Sequence, residues 1–188
     1  MADDDRQTPN DREADRLRFS DVVLPYLDDA YGLARWLSGD TRDAEDITQD
    51  AMLRAFKGIQ QFNGINARAW VLTIVRRACY TWIARNRPTE LVALDDEGWT
   101  GIEGRLAAHV EPARTPEAEA IGNERRCALT AAVRSLPPPF REVIVLREIH
   151  DLSYKEIADI LDVDIGTVMS RLARARQALL AAAGEIGR

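Results

Sequence analysis

The sequence predicts an all-α protein made of two small helical domains joined by a linker. Three observations predict it. Apolar residues recur at helical intervals, and no stretch shows the strict alternation of a half-buried strand. Between residues 89 and 118, Gly98, Gly101, Gly104, Pro112 and Pro116 stand among many acids, the composition of a flexible connection. A length of 188 residues suits one medium domain or two small ones, and this break selects the second.

The first nineteen residues hold six acids, four arginines and Pro9, and read as a mobile tail that orders near Phe19. From Asp21 to Ser38, the positions Val22, Leu27, Tyr31, Leu33, Ala34 and Leu37 predict a first helix, ended near Gly39. Asp40-Thr41 supplies capping residues for a second helix through about Lys57. The segment G-I-Q-Q-F-N-G-I-N, Gly58 to Asn66, reads as a loop because it carries two glycines and two asparagines. A third helix is expected from about Ala67 to Arg87, where Pro88 stops it. Beyond the linker, with a short ordered piece expected around Leu91 to Trp99, helices are predicted over Glu117 to Ser135, then from the triple proline Pro137 to Pro139 as far as Ile149. Tyr154 to Leu161 and Ile165 to Leu180 form the last two. The expected domains are therefore residues 20–88 and 119–188.

Charge is segregated. The chain totals -6, yet residues 57–87 hold Lys57, Arg68, Arg76, Arg77, Arg85 and Arg87 with no acid. Residues 21–56 hold eight acids against three arginines, and residues 88–120 eight against two. Separate surfaces with separate electrostatic roles are implied, rather than bulk attraction to nucleic acid or membrane. The polar start and the two cysteines, Cys79 and Cys127, predict a reduced, cytoplasmic protein with no membrane insertion. His109 and His150 do not join those cysteines in a compact zinc spacing, so no metal or cofactor is expected. Nor is there a phosphate-cradling glycine loop or nucleophile triad, so neither catalysis nor a small-molecule substrate is expected.

The segment L-S-Y-K-E-I-A-D-I-L-D-V-D-I-G-T-V-M-S-R-L has the layout of a helix-turn-helix. Ser153 and Glu156 form a capping box, Ile157, Ala158 and Leu161 an apolar face, and Asp162-Val163 the turn. Asp164 is placed to cap the second helix, whose Val168, Leu172, Ala175 and Leu179 face inward. Thr167, Met169, Ser170, Arg171, Arg174 and Arg176 then face outward, where arginine can pair with guanine or anchor phosphate in a major groove. A solvated basic face on a bundle is the bland alternative.

Two further surfaces emerge. Asp46, Gln49, Asp50 and Arg54 share one helix face, and Asp46 and Asp50 are like charges one turn apart, mildly unfavourable unless something basic binds there. A solvated face with Asp50 paired to Arg54 is the competing reading. In the 57–87 block, cations interleave with Phe62, Trp70, Tyr80 and Trp82, the combination that holds single strands by phosphate attraction and base stacking. Trp82 lies on the stripe of Val71, Val75 and Ala78 and reads as core, and Trp70 is open to the same reading.

With these motifs assembled, the chain resembles bacterial RNA polymerase sigma factors of the extracytoplasmic-function (ECF) group. L-P-P-P-F-R-E-V-I-V-L-R-E-I-H-D-L-S-Y-K-E-I-A-D-I-L with I-G-T-V-M-S-R-L-A-R-A-R is similar to their fourth domain. D-A-E-D-I-T-Q-D-A-M-L-R-A-F and W-V-L-T-I-V-R-R-A-C-Y-T-W-I-A-R-N-R are similar to their second. The resemblance implies that Asp43, Asp46, Gln49, Asp50 and Arg54 meet core RNA polymerase. It implies that Phe62, Asn63, Arg68, Trp70, Arg76, Arg77, Tyr80 and Arg85 hold the melted minus-ten strand, with one base flipped into a loop pocket. Ser153, Tyr154 and Lys155 would join the outward face of the last helix on the minus-thirty-five duplex, and an anti-sigma factor would cover these surfaces in the inactive state. Arg77, Thr81 and Met169 depart from residues common in the family at those places. A sigma-like adaptor that titrates an anti-sigma factor, and a stand-alone helix-turn-helix regulator, are the alternatives.

Overall fold

The structure, a computed structural model, describes residues 9–87 and 127–186. The expected linker and the start of the helix predicted from Glu117 lie outside the described residues. The described elements are helical throughout, and the chain divides into two compact units.

In the first unit, helix α1 spans Pro9–Val22, α2 Leu27–Ser38, α3 Thr41–Gly58 and α4 Ala67–Asn86. Two expectations are corrected. The segment read as a tail is helical from Pro9, because contacts distant in sequence hold it: Arg18 Nη2 donates to the Phe62 carbonyl at 2.7 Å, and the Phe19 ring meets Phe56 edge-on at 5.4 Å. The helix expected over Asp21 to Ser38 is broken by a 3-10 turn, Leu24–Tyr26. Pro25 has no N–H to continue the α ladder, so the chain re-enters helix only at Leu27.

Gly39 ends α2 at φ 77°, a left-handed position that suits a residue without Cβ. Asp40 then caps α3, its carboxylate accepting from Arg42 N–H at 2.7 Å and Asp43 N–H at 3.2 Å. Those two bonds, Asp43's the stronger influence, hold the Asp40 carboxyl below its ordinary 3.8. A depressed folded-state pKa contributes stability that is present above about pH 3.8 and lost as pH falls through the folded value. Asp40→Ala should lower the melting midpoint by a few degrees at neutral pH. Asp40→Asn should keep the cap but flatten that part of the acid limb; a thermal melt series in pH checks both.

The core of this unit comprises Ala30, Leu33, Ala34 and Leu37 from α2, Ala44, Ile47, Ala51 and Ala55 from α3, and Val71, Leu72, Val75, Ala78, Cys79 and Ile83 from α4. The alanines of α3 let the helices approach closely, while full burial of a side chain such as Leu33 or Leu72 contributes about 1.5–3 kcal/mol. Trp82, expected in this core, is only half-buried, and the Arg87 guanidinium stacks over its ring at 5.2 Å. Ile83, one position on, takes the buried place instead.

After the expected linker, residues 127–135 are helical (α5), followed by α6 at Pro138–Ile144, a π turn at Val145–Ile149, α7 at Tyr154–Leu161 and α8 at Ile165–Ile186. Pro137 precedes α6 and Pro138 opens it, where a missing N–H costs no helical bond. The π turn widens the ladder, with His150 N–H donating five residues back to the Val145 carbonyl at 3.1 Å. Phe140, Leu136, Val143, Leu146, Leu152, Ile157, Val168, Leu172 and Ala175 are buried. Leu179, expected to face inward, is half-buried; Ala178 and Ala182 complete the buried stripe of α8 because the helix turns past its flank.

Candidate nucleic-acid interface

The helix-turn-helix is present as read. Ser153 caps α7 in a reciprocal box, its Oγ accepting from Glu156 N–H at 3.2 Å while Ser153 N–H donates to Glu156 Oε2 at 2.9 Å. Asp162, at φ 57°, makes the turn, and the Asp164 carbonyl accepts the first bonds of α8 from Thr167 and Val168. Opposite the buried Val168, Leu172 and Ala175, the side chains of Met169, Ser170 and Arg174 are exposed, with Thr167 and Arg171 half-exposed on the flank. Lys155 is exposed at the start of α7.

The three arginines of α8 do not form one face. Arg171 and Arg174, three residues apart, lie along one flank of the buried stripe, whereas Arg176 lies seven residues from Met169 on the other. Arg176 Nη2 donates to Glu148 Oε1 at 2.7 Å, and this bond, with a weaker one to Tyr154, raises the guanidinium pKa above its ordinary value. Tyr154 is half-buried, with the Arg147 guanidinium 5.4 Å from its ring centre. Ser153 and Arg176, expected on DNA, are exposed but bonded within the domain, and Tyr154 is half-buried: Ser153 caps α7, while Tyr154 and Arg176 meet Arg147 and Glu148 of the π turn.

In the first unit, three more expected contact residues are engaged internally. Phe62 is buried, its ring 5.1 Å from that of Trp70, because the loop folds its one aromatic side chain inward. Arg68 grips Asp29 through two bonds, Nε to Oδ2 at 2.7 Å and Nη2 to Oδ1 at 3.1 Å. Asp43, expected to face polymerase, instead receives Arg87 Nη2 at 2.7 Å, and burial pushes its carboxyl up from the ordinary value with Arg87 opposing. Neither ion pair could be read from local spacing, since the partners lie 39 and 44 residues apart.

What stays accessible is specific. Between Phe62 and α4 an exposed tip remains: Asn63, Gly64 at φ 84° and Ile65, held by Ile65 N–H donating to Asn63 Oδ1 at 3.0 Å. Asn66, at φ 44°, caps α4 by accepting from Ala69 N–H at 3.0 Å. Along α4, Arg77 and Arg85 are exposed, Arg76 sits over the Tyr80 ring at 5.0 Å, and Trp70 and Tyr80 are half-buried. On α3, Asp46, Gln49 and Asp50 are exposed in one row, with Arg54 bonded to Asp50 at 2.7 Å and Leu53 57% exposed beside them. The Asp50–Arg54 pair named by the competing reading is present, and the like charge of Asp46 on the same row stays exposed.

Arg68 and Arg77 therefore make a paired prediction. Arg68→Ala should lower the melting midpoint and leave single-stranded DNA affinity within about twofold, whereas Arg77→Ala should leave the midpoint unchanged. Arg77→Ala should also reduce the salt slope of single-strand binding by about 0.7, the value for one lost phosphate contact.

Residues 22–89 match the family model described as Sigma-70 region 2, and residues 128–179 match Sigma-70, region 4. With the helical units and exposed surfaces above, these define a factor of the sigma-70 class that carries both regions in order. The chain is 35% identical over 163 residues to the ECF RNA polymerase sigma factor SigE of Mycolicibacterium smegmatis, covering 86% of this chain and 60% of that protein. It is 31% identical over 170 residues to the ECF RNA polymerase sigma factor SigW of Bacillus subtilis, covering 89% and 90%. The sigma factor RpoE of Bartonella quintana, solved with the anti-sigma factor NepR, superposes with TM-score 0.63 at 27% identity over 88% of this chain and 96% of that one. CnrH, solved with the cytosolic domain of CnrY, shares the fold at TM-score 0.59 and 22% identity over 91% and 95%. The chain belongs to the ECF family of RNA polymerase sigma factors, the alternative sigma factors that direct transcription initiation.

Proposed function

We propose that the protein docks on core RNA polymerase through the exposed row of α3, Asp46, Gln49, Asp50 and Arg54. It grips a promoter at two places. Lys155, Thr167, Met169, Ser170, Arg171 and Arg174 meet the minus-thirty-five duplex, and Asn63, Arg76, Arg77, Tyr80 and Arg85 the melted minus-ten strand, with Trp70 behind the loop. The observation that carries this reading is the division of α8, with Val168, Leu172 and Ala175 buried and Met169, Ser170 and Arg174 exposed on the opposite side. A polar helix face of that width fits a major groove. Neither grip need be strong alone, because polymerase joins them and raises their effective concentration.

The protein contributes no catalytic step; it positions DNA for the polymerase. No helix among the described residues is long and apolar enough to cross a membrane. An anti-sigma factor is the expected inhibitor, supported by the RpoE–NepR pair of Bartonella quintana. It would cover the α3 row or the Arg171–Arg174 flank. Duplex binding measured with and without core polymerase tests the assignment. A sigma factor binds core and gains DNA affinity from it; an adaptor fails to bind core, and a stand-alone regulator binds DNA equally well without it.

A further inference from the structure

Helix α1 precedes or barely overlaps the segment that matches region 2, which begins at residue 22, yet it is tied to the loop that the minus-ten reading depends on. Arg18 Nη2 donates to the Phe62 carbonyl at 2.7 Å, at the point where the chain leaves the 3-10 turn Ile59–Gln61. One turn earlier on α1, Asp15 Oδ2 accepts from Gln60 Nε2 at 2.9 Å. One residue after Arg18, Phe19 packs edge-on against Phe56 at the end of α3. Three contacts from one helix therefore fix the stem of the loop over residues 56–62.

The other end of the loop is fixed separately, by the Asn66 cap on Ala69 N–H and by Phe62 packed on Trp70. Between these anchors stand Asn63, Gly64 and Ile65, the last 73% exposed. We infer that α1, through Arg18, is a positioning element for this loop: it sets where the Asn63–Ile65 tip sits and so which unpaired base the tip accepts. The inference rests on the minus-ten role proposed for the loop. Its physical reason is that a base pocket discriminates only when its walls are held to a fraction of an ångström, and a three-residue tip has no packing of its own to do that. The Phe62 carbonyl is the last acceptor before the tip, and a guanidinium is the donor that binds it most firmly.

Arg18→Ala and Arg18→Lys test this in full-length protein assembled with core polymerase. The probe is a pool of random single-stranded 12-nucleotide DNA, with the bound fraction sequenced. Wild type should enrich particular bases at fixed positions. Arg18→Ala should lower that enrichment about tenfold at one position, while pool affinity stays within about twofold because the phosphate contacts on α4 remain. Core-polymerase affinity should not change, and Arg18→Lys should recover part of the enrichment by restoring a cationic donor. Equal enrichment by wild type and Arg18→Ala would overturn the inference. So would a parallel loss of core affinity, which would mean that Arg18 merely stabilises the domain. No enrichment by wild type would instead remove the minus-ten role itself, and the inference with it.

Discussion

If the α3 row docks as proposed, replacing Asp46 with arginine is expected to weaken the complex with core RNA polymerase by about a hundredfold, the loss typical of reversing a charge within a charge-complementary interface. Asp46 is exposed on α3, four residues before Asp50, and Asp50 already shares its charge with Arg54. Asp46 is thus the acid of the row whose field points outward. The same substitution removes a like-charge pair one turn apart, so the melting midpoint should hold or rise slightly. Binding and stability move in opposite directions, which separates an interface residue from a structural one. Asp43→Ala should behave the other way, because its carboxylate holds Arg87 and, through it, the end of α4 near the Ser38 carbonyl. Titration of labelled protein with core enzyme, alongside a thermal melt, distinguishes the two.

Phe140→Ala should unfold the second domain while the first keeps its function. The ring is 1% exposed in a small helical unit, and its removal costs about 3–5 kcal/mol, comparable with the whole stability of a marginal domain. Ile83, Leu72 and Val75 belong to a separate core on the other side of the linker, so α3 should still bind core polymerase at near wild-type affinity. Duplex minus-thirty-five binding should be lost. Near-ultraviolet circular dichroism, core titration and duplex binding on one preparation give the result; simultaneous loss of core binding would contradict two independent cores.

Features governed by short-range chemistry were legible before any coordinates. The Asp40 cap, the Gly39 stop, the Ser153–Glu156 box and the helices at Thr41–Gly58 and Tyr154–Leu161 follow from neighbours within four residues. What was not legible depends on partners far along the chain. Arg68 and Asp43 looked available because Asp29 and Arg87 are distant in sequence. Helix α1 looked like a tail because its charges mask the few residues, Arg18 and Phe19 among them, that attach it to the loop. Pro25 is a local signal: it lies inside the helix expected from Asp21 and breaks it. In α8, three arginines in six residues suggested one basic face, but one hundred degrees of rotation per residue sends Arg176 to the opposite flank and into the reach of Glu148.

The internal bonds of Phe62, Arg68, Ser153 and Arg176 bear on which residues the proposed DNA grip can use. On α8, Met169, Ser170, Arg174 and Arg176 are exposed and Thr167 and Arg171 half-exposed, Arg176 being held by Glu148, with Met169 54% exposed where a base methyl group could meet it. The central claim is that this set, together with the loop tip and the α3 row, makes core polymerase select promoters. Run-off transcription from a library of genomic fragments, with purified core enzyme and this protein, tests it most directly. Discrete transcripts that need the protein, and that disappear with Asp46→Arg, are the predicted result; fragment-independent transcription, or none from any fragment, would contradict the account.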